Sequence, residues 1–147
     1  MHARHMELAL EEARTAFAKG EVPVGAVIVR DEKIISRAHN LIETMKDATA
    51  HAEILAIRKA CQRLGGWRLE GCTMAVTLEP CPMCAGAIVQ ARLDCVVIGA
   101  FDFNAGAAGS VYNIVRDKRL NHSARVVYGV MQEECSELLK KFFRERR

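Results

Sequence analysis

Two short runs, TMAVTL and CVVIGA, constrain the fold of this 147-residue chain more than anything else in it. Each is β-rich, and CVVIGA is almost wholly apolar, as expected of a strand covered on both faces. Between them lies a helical stretch that starts around Cys81 and runs to about Arg92. Strand, helix and strand in that order make a parallel crossover, and a sheet built on it needs helical cover on both sides.

The remaining segments can supply that cover. Leu8, Ala9, Ala13, Ala16 and Phe17 recur at helical spacing up to Gly20 and predict an amphipathic helix over residues 4–19. Beyond Pro23, VGAVIV and KIISRA are separated by RDE and read as a hairpin. Residues 39–49 form a polar loop, and Ile54, Leu55 and Ile57 mark a helix from Ala50 to about Leu64, stopped by Gly65-Gly66. FDFNAGAAGS reads as a loop whose glycines match no nucleotide-phosphate fingerprint, ARVVYG as a fifth strand, and residues 132–146 as a closing helix. With no repeat, low-complexity tract or linker, residues 1–147 are expected to form one three-layer α/β domain.

Composition excludes several classes. No apolar run approaches the length of a membrane span, and the opening MHARHMELALEEA is too polar for a secretory signal. The six cysteines are therefore expected as free thiols or metal ligands in a reducing cytoplasm. The net charge of +3 sits in the last twelve residues, where Lys140, Lys141, Arg144, Arg146 and Arg147 face only Glu137 and Glu145. That patch suits phosphates, and equally a solvated helix end.

The chemistry concentrates at two strand-to-helix junctions. Cys81-x-x-Cys84 places two thiols on one side of a first helical turn, where the partial positive charge favours thiolates, and Pro82 suits that start. His51 and Glu53 lie at the head of the preceding helix, and a parallel arrangement brings both helix starts to one sheet edge. His51, Cys81 and Cys84 would leave a tetrahedral zinc one ligand short, the mark of a catalytic site, with Glu53 placed to move the proton of a water held there. A closed structural site would need a fourth ligand from Cys61, Cys72, Cys95 or Cys135, none of which is paired at chelating spacing. A redox C-x-x-C would leave His51 and Glu53 unexplained.

His51-Ala52-Glu53 with Pro80-Cys81-Pro82-Met83-Cys84 is the zinc deaminase signature H-x-E…P-C-x-x-C. Together with GEVPVGAVIV, TAHAEILAIR, TLEPCPMCAGAI, GAAGS and KKFFRERR, it makes most of the chain resemble the bacterial tRNA-specific adenosine deaminases, which convert a wobble adenosine to inosine. The resemblance implies a three-layer α-β-α cytidine-deaminase-like fold with a central five-stranded mixed sheet, one Zn2+ per subunit and a homodimer. It also implies an anticodon stem-loop substrate, attack at C6, and Glu53 as proton shuttle. Asn40 would hold the purine, Val24 line the base pocket, Asp102 contact the neighbouring sugar, and Phe143 meet the flipped-out loop nucleotides, with the terminal cations facing phosphates. Two positions depart from the family pattern: Ala48 replaces a proline before the A-H-A-E segment, and Asn104 stands where many members carry a lysine. The alternatives are a deaminase of a free base or nucleotide, such as guanine, and a catalytically silent zinc-containing RNA-binding scaffold.

Overall fold

The computed structural model describes residues 2–146. In chain order the elements are α1 (His2–Ala18), β1 (Gly25–Arg30), β2 (Lys33–His39), α2 (Ile42–Met45), α3 (Ala52–Leu64), β3 (Thr73–Leu78), α4 (Pro82–Gln90), β4 (Cys95–Ala100), β5 (Arg125–Val127) and α5 (Gln132–Glu145). The strands lie in the order β2-β1-β3-β4-β5. Strand β1 is antiparallel to both neighbours, while β3, β4 and β5 run parallel, so the sheet is mixed.

The central strands divide their side chains between two cores. Ala26, Ile28, Met74, Val76, Val96 and Ile98 pack toward α3 and α4. Val27, Ala75, Cys95 and Val97 point the other way, under Met6, Ala9 and Leu10 of α1 and Cys135 of α5. The period of two along each strand therefore feeds both layers, which is why CVVIGA shows no polar alternation. Where α1 crosses β1 the backbones touch: a Cβ on Gly25 would lie 2.0 Å from the Ala9 carbonyl oxygen, so only glycine fits there.

The hairpin turn is Asp31-Glu32, with φ of 50° and 65°, the two left-handed residues that match the twist of the flanking strands. Two segments differ from the sequence-based expectation. The polar loop over residues 39–49 contains the short helix α2, and ARVVYG pairs only through Arg125–Val127. No helix among the described residues is long and apolar enough to cross a membrane.

Candidate metal centre and catalytic cleft

The carboxyl ends of β3 and β4 and the start of β1 meet at one sheet edge, where α3 and α4 both begin. His51 is the residue before α3 and Cys81 the residue before α4, both extended, so each chain enters its helix with the side chain at the rim. Cys84 follows in the first turn of α4 and is buried. The ligand atoms of His51, Cys81 and Cys84 all lie within 4.8 Å of one another, with Nδ1 of His51 at 3.7 Å from Cys81 Sγ and 3.5 Å from Cys84 Sγ. No fourth histidine, cysteine or carboxylate joins that set among the described residues. Cys72, Cys95 and Cys135 are buried away from it, Cys61 is half-buried on α3, and all six thiols are unbridged. The three donors could hold a metal ion with a position left open.

The cluster is strongly polarised. Hydrogen bonds from Cys84 and His51 pull the Cys81 thiol down to about 3, while contact with Cys81 and burial push Cys84 far up. The bond to Cys81 raises His51. With any metal stripped by a chelator, Cys81 is thus the thiolate of the pair. Its alkylation rate is expected to stay flat from about pH 5 to pH 8, whereas that of Cys61, an undepressed thiol, climbs about tenfold per pH unit. Peptide mapping of iodoacetamide adducts checks this, and parallel pH profiles for the two cysteines would contradict it. Added zinc should protect Cys81.

Glu53 lies in the first turn of α3, 4% exposed, and shares a cleft of about 210 Å³ with His51, Cys81, Asn40, Val24 and Asp102. Burial pushes its carboxyl up to about 7, against the opposing pull of hydrogen bonding and of His51. That places it in the range where a carboxylate both accepts and returns a proton near neutrality. Val22, Val24, Ile42 and Leu78 supply an apolar wall to the cleft.

Neither α2 nor α3 has a side-chain cap from the residue that precedes it, and each is capped from elsewhere. Asn40 Oδ1 accepts the Ala52 N–H at 2.8 Å, tying β2 to the head of α3. This fixes the orientation of the amide, since only its oxygen can accept, and leaves Nδ2 without a protein partner among the described residues. Glu21, also buried, accepts the N–H groups of Glu43 at 3.1 Å and Thr44 at 2.7 Å, together with the Thr44 hydroxyl. Burial alone would raise the Glu21 carboxyl, but these bonds outweigh it and hold it below the usual range. Sequence reasoning missed Glu21, and it missed Glu79.

Glu79, the last residue before Pro80, is 1% exposed and borders the cleft. Its carboxylate accepts from the backbone of Asp102 (3.2 Å), Ala108 (3.0 Å) and Ser110 (3.0 Å), and from the Ser110 hydroxyl. Gly106 lies against it so closely that a Cβ there would sit 2.4 Å from the carboxyl carbon. The loop carrying Asp102 is therefore wrapped around one buried anion. Asp102 lines the cleft, while its Oδ1 also accepts from Asn104 N–H (3.0 Å) and Ala105 N–H (3.1 Å), closing a local turn.

The C-terminal helix reaches the same edge, because Arg146 donates to the Gly20 carbonyl at 2.6 Å, next to the segment holding Val22 and Val24. Phe142 is buried edge-on against Phe17, whereas Phe143 is 51% exposed. Several terminal cations are engaged within the chain: Lys140 with Glu137, Lys141 over Phe17, and Arg146 over Phe142. Arg147 lies outside the described residues.

A mixed five-stranded sheet carrying a three-donor cluster and a buried glutamate at its edge is a deaminase architecture. Residues 1–147 match the MafB19-like deaminase model, and the chain belongs to that family. Within it, the chain stands among the tRNA-specific adenosine deaminases. It is 55% identical over 143 residues to the tRNA-specific adenosine deaminase of Bacillus subtilis (strain 168), covering 97% of this chain and 89% of that protein. A solved structure from work on A-to-I editing by tRNA:A34 deaminases at the wobble position superposes with a TM-score of 0.89 at 45% identity, covering 92% of this chain and 99% of that one. Guanine deaminase from Bacillus subtilis superposes with a TM-score of 0.68 at 42% identity, covering 75% and 71% respectively.

Proposed function

We propose that this chain deaminates the wobble adenosine of a tRNA anticodon to inosine, working in the cytoplasm as a homodimer with one Zn2+ per subunit held by His51, Cys81 and Cys84. The observation that carries the reading is Glu53, a buried carboxyl beside a donor set that stops at three. The donor chemistry fits zinc: Zn–N and Zn–S bonds of about 2.0 and 2.3 Å at tetrahedral angles separate nitrogen from sulfur by about 3.5 Å, against 3.5 and 3.7 Å here. Two thiolate sulfurs and an imidazole suit that ion, and the free thiols suit a reducing compartment.

When bound, zinc supplies a Lewis acid that lowers the pKa of a coordinated water toward neutrality. The chain's own groups do the rest. Asn40, with its oxygen tied to Ala52, presents Nδ2 to the purine, and the wall of Val22, Val24 and Ile42 receives the face of the unstacked base. Glu53 takes a proton from the attacking water and delivers it to N1 as oxygen joins C6. It then moves the second proton to the amine, so that water and adenosine become inosine and ammonia. Asp102, which lines the cleft, and the exposed Phe143 and terminal cations of α5 are assigned to the flanking nucleotides.

The test is incubation of the zinc-loaded protein with an anticodon stem-loop bearing adenosine at the wobble position, alongside free adenosine, cytidine and guanine. Inosine is expected in the RNA alone. Conversion of free guanine without RNA editing would move the assignment to the base deaminases, and no conversion of any substrate would favour a silent scaffold.

A further inference from the structure

Outside the cleft, the charges of the chain are segregated in space in a way their order along the sequence does not reveal. A groove of about 690 Å³ runs beside the edge strand β5 and is lined by Asn113, Arg116, Lys118, Ser123 and Arg125 with no acidic residue. Arg116, Lys118 and Arg125 are exposed, and none makes an ion pair among the described residues. Of the two neighbouring acids, Asp117 is taken by Arg119, whose Nε and Nη2 reach its two oxygens at 3.0 and 2.7 Å, and Asp94, whose backbone carbonyl accepts the Arg125 N–H at 2.9 Å, makes no ion pair with Arg125 among the described residues. Three cations that make no ion pair, with an amide and a hydroxyl among them, form a set of donors suited to phosphate oxygens.

The groove is continuous with the rim of the cleft. The Arg116 guanidinium lies 5.7 Å over the Tyr128 ring, Tyr128 stacks on Phe101 at 5.5 Å, and Phe101 on the exposed Phe103 at 5.9 Å. Phe101 and Phe103 flank Asp102, which lines the cleft. The Tyr128 hydroxyl donates to the Ala108 carbonyl, inside the loop that Glu79 holds. A nucleic acid leaving the cleft past Phe103 thus meets an aromatic row and then the cations, which lie on the segment before β5 and on β5 itself.

We propose that this groove grips the sugar-phosphate backbone of the anticodon stem while the loop nucleotide occupies the cleft, an inference that rests on the tRNA reading above. A-form stems offer a protein mainly phosphates and 2′-hydroxyls, so their contacts hold the substrate without reading its sequence. The groove should therefore make the enzyme prefer a stem-loop to a loop oligonucleotide lacking the stem. The terminal cations, several of them engaged within the chain, are not the whole electrostatic footprint.

The experiment compares the zinc-loaded wild type with the triple variant Arg116→Gln, Lys118→Gln, Arg125→Gln and with the charge-preserving exchange Arg116→Lys, Lys118→Arg, Arg125→Lys. Stem-loop binding is measured against salt, and KM and kcat are measured on stem-loop and on loop oligonucleotide. The glutamine variant is expected to reduce the slope of log affinity against log salt by about two to three units and to raise KM for the stem-loop about tenfold, erasing the preference for the stem. The charge-preserving variant should keep most of both, which excludes loss of fold as the cause. An unchanged salt slope and unchanged stem preference would overturn the proposal. So would unaltered RNA binding with a changed sedimentation coefficient, which would make the groove a contact between protein copies. If the wild type edits no RNA, the functional reading fails separately. The salt slope of anticodon-arm binding then still decides whether the groove holds RNA.

Discussion

Replacing Glu53 with glutamine is expected to leave zinc bound and to lower single-turnover inosine formation by about 10² to 10⁴, the range a positioned general acid/base contributes. Glutamine keeps the volume of a side chain that is 4% exposed, so the cleft should retain its shape. It cannot take a proton from water. Metal analysis together with a quenched time course decides the matter: turnover within tenfold of wild type would remove Glu53 from the mechanism. Loss of zinc would mean that the carboxylate helps to hold the ion, contrary to the three-donor geometry.

The second large effect lies outside the reacting centre. Glu79→Ala would leave the N–H groups of Asp102, Ala108 and Ser110 and the Ser110 hydroxyl facing a void. At about 1–3 kcal/mol for each buried group left unpaired, the loss is of the order of 5 kcal/mol or more, comparable with the whole stability of many domains. Denaturant melts should show a large fall in midpoint or a failure to fold. Glu79→Gln should fall between the two, because its amide keeps one accepting oxygen but turns donors toward donors. A rise in KM exceeding the fall in kcat is expected for that variant, since the Asp102 loop loosens while His51, Cys81 and Glu53 stay in place. An alanine variant melting within about 2 °C of wild type would show that the loop holds itself.

These two glutamates also mark the boundary of what a sequence can tell. Glu53 was legible because its partners are two residues away and at a second motif with its own spacing, each at the head of a helix. Glu79 and Glu21 were not, because what they bind is backbone N–H from loops more than twenty positions distant, and backbone donors leave no trace in residue type. The same reason hid α2: four residues have little propensity of their own, and that helix stands on the Glu21 carboxylate at Glu43 and Thr44. ARVVYG reads as a strand by composition, yet pairing ends at Val127, and the Tyr128 hydroxyl is bonded to Ala108. Along the chain the charges before the terminal segment balance. In space Asp117 is neutralised by its neighbour, and Arg116, Lys118 and Arg125 are left together.

The cap that Asn40 places on α3 limits how such a pocket can be re-engineered. One side chain would serve two masters: its oxygen secures the helix that carries Glu53, and in the proposed reaction its nitrogen is the group offered to the base. A variant library that randomises position 40 to change the accepted nucleobase would mostly recover enzymes whose catalytic helix has come loose, whatever their new preference. The hydrocarbon wall of Val22, Val24 and Ile42 carries no such second duty. Directed evolution toward another purine has its room to manoeuvre there, and Asn40 is the position to leave constant.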